Sequence, residues 1–224
     1  MSSSLQIFKI EADVQCSDHP ITVDEFLKLF DEDAQAELID GTVVFDMAAR
    51  FDHEMTFHFL YNLLSLYAER HNLGIVLGSR SLIRIDPYTG LMPDILFIRA
   101  DRKQIIGERE IKGSPDLVVE IISPSESRPD VIRKQVKYEG AGVRELWLID
   151  RPHGEVRAFR LGSDGRFREM RIEGGILRSD VINGFWVKTD WLLADPEDMP
   201  KALDALEEIE GKSEGNAKRD ERRK

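Results

Sequence analysis

The sequence predicts one mixed α/β domain, and three observations lead to it. Residues 52–71 carry Phe57, Leu60, Leu64 and Tyr67 at helical spacing with Leu63 alongside, and Asn72-Leu73-Gly74 closes the run. Residues 117–122 and 146–150 are almost wholly apolar, the pattern of strands covered on both faces. The chain has 224 residues, 42% of them hydrophobic, which is enough for one well-filled core, and it shows no internal repeat or second core.

The elements follow in order. Residues 1–21 show little periodicity, end near Asp18-His19-Pro20, and read as a loosely tied lead-in. Thr22 followed three residues later by Glu25 is a capping box, in which hydroxyl and carboxylate satisfy amide donors at a helix start. The apolar Phe26, Leu27, Leu29 and Phe30 carry that short helix to about residue 30. Two apolar runs around Asp40-Gly41 predict a β-hairpin over 36–45. Beyond the long helix, strands are expected at 75–77, 81–85, 95–98 and 117–122. After Ser123-Pro124-Ser125 a helix begins near residue 129 or 130 and runs to about 139, ending before Gly140 and Gly142. The strand at 146–150 precedes an antiparallel pair, 156–161 and 167–172, joined through Ser163-Asp164-Gly165. From residue 201 the chain is amphipathic (Leu203, Leu206, Ile209), and after Gly211 its composition is that of a solvated, disordered tail. The expected organisation is therefore a lead-in at 1–21, a core at 22–200 and a charged helix and tail at 201–224.

No apolar run approaches the ~20 residues that a bilayer helix needs. Residues 1–10 lack the layout of a secretory signal. The lone Cys16 cannot form an internal disulfide, and there is no paired-cysteine metal motif, so a reducing cytoplasm is the expected location. The formal net charge is −11. Affinity for nucleic acid comes largely from cations that displace counterions, so an acidic whole argues against a general nucleic-acid coat. It leaves a nuclease open, because clustered carboxylates cease to repel one another once a divalent cation binds.

Three acids stand in apolar strand contexts. Glu37 precedes Leu38-Ile39, Asp94 leads into Ile95-Leu96-Phe97, and Glu120 follows Leu117-Val118-Val119. A charged carboxylate inside a strand covered on both faces is costly unless it is paired or metal-bound. Magnesium takes hard oxygen ligands, one or two protein carboxylates with water and phosphate oxygens completing the shell. Each acid taken alone also fits an exposed turn or a structural ion pair.

Pro93-Asp94 followed by Glu120 in an apolar strand resembles the PD-(D/E)XK nuclease arrangement. More specifically, Glu37-Leu38-Ile39-Asp40-Gly41, His53, Met92-Pro93-Asp94-Ile95 and Asp116-Leu117-Val118-Val119-Glu120-Ile121-Ile122-Ser123-Pro124-Ser125 are similar to the Uma-two family of restriction-endonuclease-like proteins. So are Asp130, Lys134, Tyr138, Gly142-Val143, Glu145-Leu146-Trp147-Leu148-Ile149-Asp150 and the closing Asn183-Gly184-Phe185. The resemblance runs from about residue 22 to 192; the block around Glu120 with the spaced Asp, Lys and Tyr is specific, whereas Pro-Asp alone is weak. It implies a restriction-endonuclease-like core, a mixed central β-sheet flanked by helices with Mg²⁺ or Mn²⁺ at one edge. Asp94 and Glu120 are then metal ligands and Glu37 a further acidic member. The implied activity is phosphodiester hydrolysis of nucleic acid, DNA first, and analogy adds a homodimer. A nuclease-fold protein without activity, used for binding or self-association, is the alternative.

The chain departs from the general nuclease pattern, which sets a lysine two residues after the second acid; that position is Ile122 here. The resemblance supplies the lysine from the next helix, as Lys134. Asp130, Lys134 and Tyr138 at i, i+4 and i+8 lie along one helix face, which can turn Lys134 toward the carboxylates. The plainer alternative is a surface pair between Asp130 and Lys134, worth little. Lys137 is the neighbouring competitor. Arg128, Arg133, Lys134 and Lys137 fit phosphate contacts or, more simply, a solvated face. His53 either borders the acidic site, as Asp130 and Tyr138 would, or is a helix-start histidine without ligand duty. His53 and His58 are five apart, roughly 140° around a helix, so the two cannot share a zinc ion as protease histidines at i and i+4 do. No nucleophile elbow, phosphate-binding glycine loop or dinucleotide fingerprint is present, and Trp147 and Phe185 sit in apolar contexts as core residues.

Overall fold

Two adjacent parallel strands, β9 (Leu117–Ile121) and β10 (Glu145–Asp150), occupy the middle of one of two six-stranded sheets, and α3 (Arg128–Ala141) makes the crossover between them. Parallel neighbours need such a crossover, because a tight turn can join only antiparallel strands. In this computed structural model the described residues are 8–10, 13–15, 19–30, 36–45, 50–78, 80–124 and 126–211.

The remaining elements are β1 (Phe8–Ile10), β2 (Asp13–Gln15), α1 (Val23–Leu29), β3 (Ala36–Ile39), β4 (Thr42–Phe45), α2 (Phe51–Arg70), β5 (Gly74–Gly78), β6 (Ile83–Asp86), β7 (Thr89–Leu91) and β8 (Ile95–Arg99). After β10 come β11 (Glu155–Leu161), β12 (Phe167–Glu169), β13 (Ile176–Arg178), β14 (Trp186–Lys188), α4 (Thr189–Leu193) and α5 (Ala202–Ile209). One six-stranded sheet has the order β1-β2-β4-β3-β7-β6, the second β12-β11-β10-β9-β8-β5, and β13 pairs with β14 alone. Only the β9–β10 contact is parallel, so the second sheet is mixed, as expected.

The predicted start signals hold. Thr22 accepts from the Glu25 amide while Glu25 accepts from the Thr22 amide, which fixes the first turn of α1. Asp40 and Gly41 both have positive φ, 50° and 77°, the mirror-image turn that matches the twist of β3 and β4. A Cβ on Gly41 would come within 2.4 Å of Pro20, so only glycine fits that turn. Gly140 does not end α3, which runs on to Ala141 and closes on left-handed Gly142. Strands β1, β2, β7, β13 and β14 and helix α4 were not expected. All but α4 have three residues, too few for an alternating pattern to stand out. Pairing of Asp13 and Val14 with Val44 and Val43 ties the lead-in to the first sheet. The tail expected to be disordered beyond Gly211 lies outside the described residues.

Side-chain alternation splits the second sheet into two apolar faces. Ile95, Phe97, Leu117, Val119, Ile121, Trp147 and Ile149 pack with α2, α4 and α5 on one side. Leu96, Ile98, Val118, Leu146 and Leu148 pack with Tyr138 of α3 and with Ile39, Ile83 and Leu91 of the first sheet on the other. Burying each leucine or phenylalanine contributes about 1.5–3 kcal/mol. Trp147 and Phe185 are core, their rings stacked 6.3 Å apart. Asp94 and Glu120 have the parity of Leu96 and Val118, and Glu37 that of Ile39. All three acids therefore face the space between the two sheets.

Candidate active site

The acids converge because register leaves them no other place. Ile95 pairs with Val119 across antiparallel β8 and β9, and one further step sets Asp94 opposite Glu120. Asp94 Oδ2 accepts the Ile121 amide at 2.7 Å, locking the carboxylate against the β9 edge. Glu120, 8% exposed, accepts the Tyr138 hydroxyl on Oε1 at 2.5 Å. Glu37, buried in β3, accepts the Met92 amide on Oε1 at 2.6 Å.

Lys134 joins the acids. Its ammonium lies 2.9 Å from Glu37 Oε2, 3.6 Å from Glu126 Oε1 and 3.9 Å from Glu120 Oε2. Sequence reasoning had placed Lys134 and Tyr138 on one inward helix face, and the structure puts both there. Asp130 is not brought in. It is exposed at the start of α3, where it accepts from Ser127 Oγ and its own amide donates to that hydroxyl. Each i+4 step turns about 40°, so a residue two steps ahead of Tyr138 has rotated toward solvent, where the N-terminal cap claims it. The surface pair between Asp130 and Lys134 does not form. Lys137 turns away as well: with Arg133 it grips Asp40 at the hairpin tip, so neither cation is an idle solvated charge.

Glu126 is the member sequence reasoning missed. Its Oε2 accepts the Ser123 amide at 3.0 Å, which folds the turn back so that Oε1 meets Lys134. Nothing in local spacing marks it, because it stands in a polar loop between strand and helix.

His53 borders the site in the first turn of α2. Its Nε2 is 3.4 Å from Asp94 Oδ1 and its Nδ1 3.4 Å from Glu54 Oε1. His58 instead meets Asn62, so the two histidines are indeed apart.

Electrostatics follow from crowding. Burial raises Glu120 well above the ordinary carboxylate range; Lys134 opposes the shift, while Asp94, Glu37 and Glu126 add to it. Burial works against the Lys134 charge, but Glu120, Glu37 and Glu126 outweigh it and hold the ammonium well above its usual range. Burial alone would lower His53, yet the hydrogen bond and charge of Asp94, with Glu54, raise it to about 9.

Among the described residues, no group of three or more His, Cys, Asp or Glu side chains is disposed around a shared metal position. Glu37 has spent one oxygen on the Met92 amide and the other on Lys134. Asp94 Oδ1 and Glu120 Oε2 are differently placed, with only His53 at 3.4 Å and Lys134 at 3.9 Å beside them among the described groups. Two hard oxygens on neighbouring strands fit magnesium or manganese, which ordinarily take one or two protein carboxylates.

Among the described residues no helix is long and apolar enough to cross a membrane. No curated protein matches the chain. The fold is similar to the crystal structure of a "putative nuclease belonging to DUF820" from Anabaena variabilis ATCC 29413. That likeness has a TM-score of 0.65 at 19% identity and covers 78% of this chain and 98% of the other. The Uma2 family, described as "Putative restriction endonuclease", matches residues 23–193, which include Glu37, His53, Asp94, Glu120, Glu126 and Lys134. On that match, spanning most of its length, the chain belongs to the Uma2 family.

Proposed function

We propose that this site hydrolyses phosphodiester bonds of nucleic acid, DNA first, with Mg²⁺ or Mn²⁺ held by Asp94 and Glu120. One observation carries the reading: the Lys134 ammonium, its side chain 15% exposed, lies within 4 Å of three carboxylates at the strand edge where Asp94 and Glu120 stand side by side. When bound, the divalent ion would lower the pKa of water and neutralise charge on the phosphate.

The chain's own groups supply position. Tyr138 and the Ile121 amide fix the two ligand carboxylates, so neither must reorganise when substrate arrives. Glu37 tethers Lys134 while leaving its remaining N–H groups to donate to a phosphate oxygen or to orient a water. Glu37 thus serves as an anchor for the lysine. His53, charged at neutral pH while Asp94 carries no cation, would lose that preference once a divalent ion sits on Asp94. Membership of the Uma2 family supports the nuclease reading. A homodimer would set two such sites on the two strands of a duplex, and sedimentation at micromolar concentration tests it.

The second reading, a nuclease fold used only for binding or self-association, is favoured by the short Lys134–Glu37 pair, which lets the cluster neutralise itself. Calorimetric titration of Mn²⁺ into wild type and Asp94→Asn separates the two. Binding that disappears in the variant supports the metal site, and no binding to wild type sinks it. Plasmid nicking that Glu120→Gln and Lys134→Met both abolish supports catalysis. Nicking that survives in either variant places the chemistry elsewhere.

A further inference from the structure

Beside the carboxylates lies a cavity of about 330 Å³ whose walls include Arg50, His53, Pro124, Arg151, Leu193 and Asp195. Its volume is roughly ten times the ~30 Å³ that one water occupies in the liquid, room for a phosphate with part of its sugar. His53 is the shared wall, facing Asp94 through Nε2.

Arg151 is the unusual group there. Its Nη1 donates to Thr56 Oγ1 at 3.0 Å and to the Leu192 carbonyl at 2.8 Å, both neutral acceptors. Its Nε is closed off from solvent and has no hydrogen-bond acceptor among the described residues. Asp52, on the same wall, feels the charge of this guanidinium, but among the described residues no carboxylate hydrogen-bonds it, so neutral acceptors set its position. Across the cavity, Arg50 stands before α2 as an N-cap with no side-chain cap bond; its Nε meets Asp52, and its side chain is 67% exposed. Asp52 is occupied by Arg50 and by the His53 amide. Asp195 is the second acid in the cavity wall.

We propose that this cavity is a binding subsite for a backbone phosphate of the polynucleotide, held by Arg151 and Arg50 next to the phosphate that meets Asp94 and Glu120. The inference rests on the nuclease reading for its substrate class and, for its place, on the cavity with Arg50 and Arg151 in its walls beside His53. Planar guanidinium donors suit phosphate oxygens better than a point charge does. Two arginines at one cavity give a chain of net charge −11 a local foothold for a polyanion, against Asp52 and Asp195 in the same walls.

The test measures DNA binding separately from cleavage. A fluorescein-labelled duplex is titrated by anisotropy into the Glu120→Gln protein over a series of salt concentrations. The same background then carries Arg151→Met, Arg50→Gln or Asp195→Asn, and Arg157→Met serves as a distant surface control. Arg50→Gln guards against a folding artefact, since Arg50 is mostly exposed while Arg151 holds Thr56 and Leu192. The expected result is about ten-fold weaker binding for each cavity arginine, with the logarithmic salt slope shallower by about one. Asp195→Asn should tighten binding, and the control should leave it unchanged. Equal affinity and slope in folded Arg151→Met and Arg50→Gln proteins would overturn the inference, as would a duplex that does not bind at all. If Mn²⁺ fails to bind wild type while DNA binding still depends on both arginines, the subsite stands and the nuclease reading falls.

Discussion

The Tyr138 hydroxyl donates to Glu120 Oε1 at 2.5 Å, and the phenol that does so is wholly buried. Burial first, then the charges of Glu120 and Glu37, keep that phenol well above its ordinary pKa, so it acts as a donor at every pH the fold tolerates. Tyr138→Phe leaves a buried carboxylate oxygen without its donor. The expected cost is about 1–3 kcal/mol in urea unfolding, together with slower nicking. Unchanged stability would mean that another group, or water, satisfies Glu120 equally well.

Lys134→Met should be the most damaging single change at the site. It strips the cation from Glu37, Glu126 and Glu120, and breaking one side of a buried pair costs about 3–5 kcal/mol. The pH dependence has a definite sign. Lys134 is raised above the ordinary lysine value of 10.5, so its contribution is complete below that value and is lost as pH climbs through the folded one. Wild type should therefore weaken on the alkaline limb, and the variant should lack that limb. In acid the deficit of the variant should shrink as the orphaned carboxylates take up protons. A deficit that is constant across the whole range would show that lost packing, not lost charge, explains it.

His53 provides an independent gauge of Asp94. A histidine raised from 6.5 to about 9 stabilises the fold fully below 6.5 and loses that contribution as pH rises through about 9. Proton NMR should find the ring charged at pH 7.5 in metal-free wild type, and Asp94→Asn should bring its titration down toward 6.5. A wild-type midpoint near 6.5 would mean that the 3.4 Å approach to Asp94 does not persist in solution.

Glu145 is an acid with a different purpose. Fully buried at the start of β10, it accepts from Trp147 Nε1 at 2.6 Å, Ser179 Oγ at 3.2 Å and the Asp180 and Val181 amides at 2.8 and 3.1 Å. It is therefore a clasp for the turn after β13. Burial raises it to about 7 against those donors, so the stability it gives is present below about 4.5 and declines as pH rises through 7. Glu145→Gln turns an amide N–H₂ toward donors and should cost about 1–3 kcal/mol at pH 5. The gap should narrow by pH 8, because only the wild type ionises. Equal unfolding midpoints at pH 5 would remove the clasp from the account.

The elements that sequence made legible are those with a local physical signature. The Thr22–Glu25 box, the Asp40-Gly41 turn and the apolar stretches around Trp147 and Val119 each need only neighbouring residues to be read. Glu120 was legible because a charge inside an apolar strand demands a partner. Glu126 and Arg151 were not, since their roles arise from contacts across the fold, to α3 and to the residues around α4. Asp130 illustrates the opposite error. Helical spacing placed it beside Lys134, but its position in the first turn gave it to Ser127. Spacing fixes which residues share a face; it does not fix which of them the helix end consumes.

Divalent binding should be linked to protons, and that linkage tests the site more strictly than affinity does. Burial, with the charges of Asp94, Glu37 and Glu126, raises Glu120 above the ordinary carboxylate range against the pull of Lys134, so the metal-free carboxyl holds a proton more readily than an exposed glutamate does. A ligand must be deprotonated before it meets the ion, so Mn²⁺ binding should release protons, to a smaller extent as pH rises. Calorimetry at pH 6.5 in two buffers of different ionisation enthalpy should give different apparent heats, and the difference should shrink by pH 8.5. His53 contributes in the same direction if the ion on Asp94 displaces its proton, so Glu120→Gln and His53→Gln variants apportion the release. The same binding should raise the unfolding free energy by about 2.7 kcal/mol when Mn²⁺ is present at a hundred times its dissociation constant. Heats that are identical in both buffers at pH 6.5 would mean that the ion displaces no proton, and unchanged Mn²⁺ affinity in Glu120→Gln would take Glu120 out of the ligand set.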